Sequence, residues 1–287
     1  MKIASIDAGD GPSLGVRDDD GLVIDLRHLG SDAPTDLRAL LGLGDQALAE
    51  VEERSAMITE RLDPASIRFR PLITQPHAVW CTALNYPTHV VEGNWEHPSH
   101  PPFFLRVAAS LCGHLEPILQ PIVSDRLDYE GELALVIGQP ARHVPEADAY
   151  DVIAGYSCFN DGSVRDWQRH TAQITSGKNF AKTGAFGPWL TTRDELPGIE
   201  DSQLTTRVNG RVMQQAKIGE MIFGIPTLIN YLSTLCELLP GDVVVTGTPG
   251  GVGARQTPQL FLGVGDIVEV EIEGVGLLRN PIAREVG

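Results

Sequence analysis

The chain has 287 residues, 42% of them hydrophobic, enough to bury the core of one large domain or two. Its 38 acidic residues against 22 Lys and Arg give a formal net charge of −16, which argues against nucleic acid as a partner, because such surfaces carry an excess of positive charge. The four cysteines, Cys81, Cys112, Cys158 and Cys236, form no Cys-x-x-Cys pair, so neither a zinc site nor a redox motif is indicated and reduced, mostly buried thiols are expected. Asp7 stands where a signal peptide would need its apolar core, and no apolar run reaches the length of a membrane span. A cytoplasmic location with no membrane partner is the default expectation.

Residues 1–70 read as a small separate N-terminal α/β module. Apolar runs at 2–6 and 22–26 suggest short strands, the second preceded by the turn-forming Arg17-Asp18-Asp19-Asp20-Gly21. From 36 to 62 apolar residues recur at helical spacing, with Gly42 and Gly44 dividing the segment. Residues 64–76 read as a linker, and residues 71–287 as the second domain, where from His77 onward short apolar runs separated by Gly and Pro give a largely β pattern. The stretch Glu96-His97-Pro98-Ser99-His100-Pro101-Pro102 carries two histidines three apart, but its prolines prevent helical presentation to a zinc ion and predict a mobile loop. A helix is predicted at 226–237, with Pro226 at its start, an apolar stripe of Leu228, Ile229, Leu232 and Leu235, and Pro240-Gly241 as its stop. Strands are predicted at 242–246, 266–272 and 276–279. No internal repeat is present, and strands do not alternate with helices as a doubly wound fold requires, so the expected class is α+β, mainly β.

The chemistry concentrates in Tyr129-Glu130-Gly131-Glu132, which runs into Leu133-Ala134-Leu135-Val136-Ile137. Side chains at i and i+2 of a strand share a face, so Glu130 and Glu132 present their carboxylates side by side at the entrance to a segment covered on both faces. Neighbouring carboxylates repel and resist desolvation unless a cation compensates them. A third acid, Asp161 in Asn160-Asp161-Gly162, is placed in a turn after a short strand. Three carboxylates without a His or Cys cluster describe a hard oxygen site for Mg²⁺ or Mn²⁺, with up to about three positions left for water and substrate. Arg165 and Gln168 follow Asp161 by four and seven residues, one side of a helix if one begins there, and read equally as polar surface or as substrate contacts. Thr248, in Thr246-Gly247-Thr248-Pro249-Gly250-Gly251-Val252-Gly253, either serves a substrate carboxylate or marks a plain turn. The segment lacks the Gly-Lys-Ser/Thr ending of a P-loop.

Together these stretches resemble the fumarylacetoacetate hydrolase family, in its acylpyruvase and oxaloacetate decarboxylase-like branch, over most of residues 77–287. The resemblance is carried by Leu127-Asp128-Tyr129-Glu130-Gly131-Glu132-Leu133-Ala134, Asn160-Asp161-Gly162-Ser163-Val164-Arg165-Asp166-Trp167-Gln168, Gly177-Lys178-Asn179-Phe180, the Thr246–Gly253 stretch, and a closing Val268-Glu269-Val270-Glu271-Ile272-Glu273-Gly274. It implies a mixed β-sandwich roll of that family's C-terminal type, a homodimer, and Mg²⁺ or Mn²⁺, with Ca²⁺ as a stand-in in crystals, held by Glu130, Glu132 and Asp161. It also implies chemistry on small anionic keto acids of the kind met in aromatic compound catabolism. The segment Asn85-Tyr86-Pro87-Thr88-His89-Val90-Val91-Glu92 is similar to a lid whose His–Glu pair activates water, and His89 and Glu92 at i, i+3 meet on one face if the lid is helical. By the same resemblance Lys178 stabilises developing negative charge, and Tyr86, Arg106, Arg165, Gln168 and Thr248 contact substrate. Arg106 departs from the pattern, standing where many members have lysine.

The expected reaction is metal-dependent hydrolysis of a carbon–carbon bond in an acylpyruvate of the fumarylpyruvate type, with His89, oriented by Glu92, deprotonating a water and pyruvate enolate leaving. Decarboxylation of oxaloacetate and isomerisation or hydration of a 2-hydroxy-dienoate draw on the same enolate chemistry. A cation-stabilised binding protein is the non-enzymatic alternative, although structural Ca²⁺ sites recruit about six to eight oxygens and only three ligands stand out here.

Overall fold

The computed structural model describes residues 1–9 and 11–286. Its architecture is the expected mainly-β sandwich roll, built from two large sheets beside a two-stranded ribbon of Leu127–Asp128 and Ser163–Val164. Along its main path the larger sheet runs Val23–Asp25, Pro12–Arg17, Lys2–Asp7, Gly184–Thr192, Ile153–Asp161, Gly131–Ile137, Val243–Val245, Val79–Thr82 and Phe103–Arg106. The smaller one runs Arg211–Lys217, Gln203–Val208, Ile267–Ile272, Gly276–Arg284 and Ile118–Gln120. The strands expected at 242–246, 266–272 and 276–279 are all present, the last extended to Arg284.

The central strand Gly131–Ile137 explains how the sheets share a core. Leu133, Leu135 and Ile137 join Leu204, Val268, Val270 and Ile272 of the smaller sheet, whereas Ala134 and Val136 point the other way, into a second cluster with Ile3, Leu14, Leu40, Leu190 and Val245. The unbroken apolar run therefore reflects one residue set for each face, at the period of two that a strand imposes. Gly131 lies against the smaller sheet: a Cβ there would stand 1.9 Å from Thr206 Oγ1.

The split drawn at residue 70 does not divide this sheet. Lys2 and Ile3 pair with Thr191 and Leu190, and helices Leu37–Leu41 and Asp45–Ser55, separated at Gly42 and Gly44 as expected, cover the sheet's outer face through Leu40, Leu48 and Val51. Within the expected linker, Arg68 and Phe69 pair with Asp7 and Ile6. The predicted helix at 226–237 is Ile225–Leu235; Leu228, Ile229 and Leu232 are buried, while Leu235, in its last turn, is exposed. Cys81, Cys112 and Cys158 are buried free thiols and Cys236 is half-buried. No helix among the described residues is long and apolar enough to cross a membrane.

Candidate active site

Glu130 and Glu132 stand at the head of Gly131–Ile137, on the face that also carries Ala134 and Val136. The adjacent antiparallel strand Ile153–Asp161 ends beside them, with Gly131 opposite Asn160. Asp161 is thus the last residue of a strand rather than part of a turn: its N–H donates to Glu130 O at 2.8 Å, which continues the ladder. The pairing brings carboxylate oxygens of Glu130, Glu132 and Asp161 within 4.8 Å of one another, all three buried.

Three buried cations answer most of this charge. Lys178 Nζ bridges Glu130 Oε2 and Asp161 Oδ2 at 2.5 Å each and lies 5.0 Å from the centroid of the Phe104 ring. Arg165 donates from Nε to Asp128 Oδ2 and from Nη1 to Glu130 Oε1, both at 2.7 Å. Arg106 donates to Asp161 Oδ1 at 2.5 Å and to Thr183 Oγ1 at 2.8 Å. Burial works to raise the Glu130 carboxyl, and Lys178 and Arg165 more than reverse it, holding it well below the usual carboxylate range. Burial likewise works against the charge of Lys178, yet Asp161 and Glu130 hold its ammonium above the usual lysine value.

Glu132 is the exception. Its Oε2 accepts the N–H of Gly247 at 2.5 Å, and among the described residues no cationic side chain pairs with it. Burial, with Asp161 and Glu130 adding repulsion, pushes its carboxyl well upward. Four buried carboxylates, Asp128 included, face three buried cations, so with every group ionised the cluster would be one negative charge in excess. A divalent cation among Glu130, Glu132 and Asp161 would more than offset that charge, and hard oxygen donors suit it. The residues present fit the ion.

The lid is a helix, Pro87–Gly93, with proline at its first turn and Asn94 in the left-handed conformation closing it. One turn of helix sets His89 Nδ1 at 2.7 Å from Glu92 Oε1, and Glu92 Oε2 accepts the N–H of Gly251 at 2.7 Å. Thr88 Oγ1 accepts the N–H of Gly250. The Gly-rich segment therefore clamps the lid through backbone donors, and a carboxylate on Nδ1 leaves Nε2 free.

A cleft of about 710 Å³ lies between lid and floor, lined by His89, Glu130, Glu132, Asp161, Arg165, Gln168, Lys178 and Thr248 among others. Glu92 holds His89 and does not line it. Arg106 does not line it either; its guanidinium, wholly buried, is spent on Asp161 and its neighbours. Tyr86 caps the lid helix from inside the core, fully buried. Arg165 opens and Gln168 ends a four-residue helix that begins after the short strand Ser163–Val164, so they do not share a helix with Asp161. The Thr248 hydroxyl donates to Gly131 O and accepts from Gln214 Nε2. His97 and His100 remain outside the site in an exposed loop.

Asp128 had no role assigned from the sequence. It is fully buried and accepts the N–H groups of Tyr129, Gly253 and Ala254 besides Arg165 Nε, tying the Gly-rich segment to the floor. Its signal was available: Asp128, Glu130 and Glu132 form an acid series of period two running into an apolar strand. Gln214, on the opposite sheet, offered none.

A family profile described as fumarylacetoacetate (FAA) hydrolase C-terminal matches residues 78–283. A mitochondrial oxaloacetate tautomerase of Xenopus laevis is 34% identical over 287 residues, 98% of this chain and 90% of that protein. The solved fumarylacetoacetate hydrolase of Exiguobacterium antarcticum superposes with a TM-score of 0.86 at 29% identity, covering 99% of this chain and 100% of that one. A maleylpyruvate hydrolase from Sphingobium sp. SYK-6, solved in complex with manganese(II) and pyruvate, gives 0.83 at 25% identity with full coverage of both chains. With most of its length matched and the carboxylate set converging as the motifs require, the chain belongs to the fumarylacetoacetate hydrolase family.

Proposed function

We propose that this protein moves a proton at the carbon beside the 2-oxo group of a small keto acid, with a divalent ion assisting, and that keto–enol tautomerisation of an oxaloacetate-like acid is its leading reaction. The observation that carries this reading is the His89–Glu92 pair closed over a floor of three converging carboxylates. An ion held by Glu130, Glu132 and Asp161 would supply Lewis-acid polarisation of the 2-oxo group.

The chain's own residues do the remainder. Glu92 accepts from Nδ1 and orients the ring, so His89 Nε2 is the atom that takes a proton from the carbon and can return one. One C–H bond breaks and one O–H bond forms, with the electron pair moving into the new C=C bond, and the reverse runs through the same groups. Lys178, beside the floor carboxylates, stabilises negative charge as it develops on the 2-oxo oxygen. Arg165 has the remaining role: its Nη2 is buried without a protein partner while its other nitrogens are engaged. An unpaired buried donor costs about 1–3 kcal/mol, and a substrate carboxylate recovers that cost.

Hydrolytic cleavage of an acylpyruvate is the second reading. The cleft volume of about 710 Å³ favours it, being far larger than a four-carbon acid requires, and the same His89 could deprotonate a water instead. Oxaloacetate decarboxylation needs no base on the lid and draws less support from the His89–Glu92 pair. The readings separate when purified protein with Mn²⁺ is given enol-oxaloacetate and a set of acylpyruvates. Accelerated decay of the enol absorbance without pyruvate release supports tautomerisation, acylpyruvate cleavage without it supports hydrolysis, and neither activity defeats both.

A further inference from the structure

The outer part of the cleft holds two arginines, Arg169 and Arg255, that line it without an ion-pair partner among the described residues. Both are exposed. In a chain with sixteen more acidic than basic charges, two unanswered cations lining one cleft are not explained by the surface at large. Arg255 is also the better placed. It ends the short helical turn Gly253–Arg255, whose Gly253 and Ala254 N–H groups are fixed by Asp128, the carboxylate that also holds Arg165. Its guanidinium carbon lies 4.9 Å from the centroid of the Trp95 ring, and that ring lies 5.2 Å from His89. Trp95, 42% exposed, is held against Gly93 at the end of the lid, where a Cβ would stand 2.0 Å from its ring. His89, Trp95 at the end of the lid and a cation without an ion-pair partner thus adjoin one another in the cleft lining.

We propose that Arg255, seated on Trp95, reads a carboxylate at the end of the substrate remote from its 2-oxo acid head, so that the cleft selects keto diacids over keto acids with an uncharged tail. This rests on the keto-acid reading of the floor. The head takes the floor groups, the volume beyond it accommodates a chain, and a guanidinium freed of internal partners pairs with carboxylate through two parallel N–H groups. Because Trp95 belongs to the lid, that pairing also favours the closed position of His89.

Two five-carbon ligands that differ only at the far end, 2-oxoglutarate and 2-oxopentanoate, test this by calorimetric titration of the Mn²⁺-loaded protein without any turnover. Wild type should bind 2-oxoglutarate about tenfold or more tightly than 2-oxopentanoate, the size of one well-made charged contact. Arg255→Met, which retains an apolar contact with Trp95, should remove that preference while leaving 2-oxopentanoate within about twofold. Equal binding of the two ligands by wild type overturns the inference alone. Equal weakening of both by Arg255→Met, or loss of the preference in Arg169→Met and not in Arg255→Met, overturns the assignment to Arg255. Failure of both keto acids to bind overturns the reading of the floor, and this inference with it.

Discussion

Glu132 is the residue on which the metal argument turns, because its carboxylate is buried against two others with one backbone N–H for company. Glu132→Gln keeps an acceptor for Gly247 and removes one of the repelling charges. Mn²⁺ affinity, read by titration, should fall by at least the ~10–100-fold typical of lost partners one shell further out. The melting temperature of the metal-free protein should stay level or rise, since a buried carboxyl that repels its neighbours whenever it ionises has gone. A lower metal-free melting temperature with unchanged Mn²⁺ affinity would make Glu132 a structural acid instead. The pair at i, i+2 was legible in the sequence because strand geometry alone puts both carboxylates on one face. Asp161 was legible as a residue but not as a strand end, since Asn-Asp-Gly carries strong turn chemistry that ladder pairing with Gly131–Ile137 overrides. What Arg106 does was not legible: its pairing with Asp161 across 55 residues joins strands that are not neighbours in the sheet and leaves no local pattern.

Among the elements, the lid helix Pro87–Gly93 and the Gly-rich segment behave as one device. Gly251 has φ +110°, a backbone region that L side chains rarely adopt, and a Cβ there would lie 2.1 Å from Met213 O. Gly251→Ala should cost about 1–3 kcal/mol in stability and displace the N–H that Glu92 accepts. Turnover should fall while Mn²⁺ affinity stays within about twofold, because the ion's carboxylates lie on different strands. Parallel losses in turnover and metal affinity would show that the segment supports the floor as well as the lid. Individual elements such as Ile225–Leu235 and Asp45–Ser55 were readable from apolar spacing and from Pro and Gly, which act locally. The clamp was not, because its partners are backbone N–H groups that every residue but proline possesses.

At the scale of the whole molecule, His114 joins segments that are far apart in the chain. Its ring packs edge-on against Phe69 at 5.0 Å, and its Nδ1 accepts the N–H of Arg279 at 3.1 Å. Burial, then the nearby Arg279 charge, pushes its imidazole down to about 4. The unfolded chain binds that proton near pH 6.5, so between about 6.5 and 4 the unfolded state holds more protons than the folded one. His114 should therefore leave stability intact above about pH 6.5 and reduce it as pH falls toward 4, by no more than about 3 kcal/mol and less for its partial exposure. Urea midpoints across that range, compared with His114→Gln, check this: the variant should show a flatter slope, and identical slopes would remove His114 from the account. Which segments share a sheet was the least legible property at this scale. Lys2 and Ile3 join Thr191 and Leu190 across most of the chain, and strand pairing at such separation is written in no local period.

The central claim is that a keto acid on this carboxylate floor exchanges a proton with His89. Pyruvate in D₂O tests it most directly, because deuterium entering its methyl group, followed by proton NMR, reports C–H breakage and enolisation alone and requires no carbon–carbon bond to break. With Mn²⁺ the wild-type protein should speed this exchange above the rate with the ion alone. His89→Gln should lose at least about a hundredfold of that acceleration while still binding Mn²⁺. No acceleration by the wild-type protein, or acceleration unchanged in His89→Gln, would contradict the account.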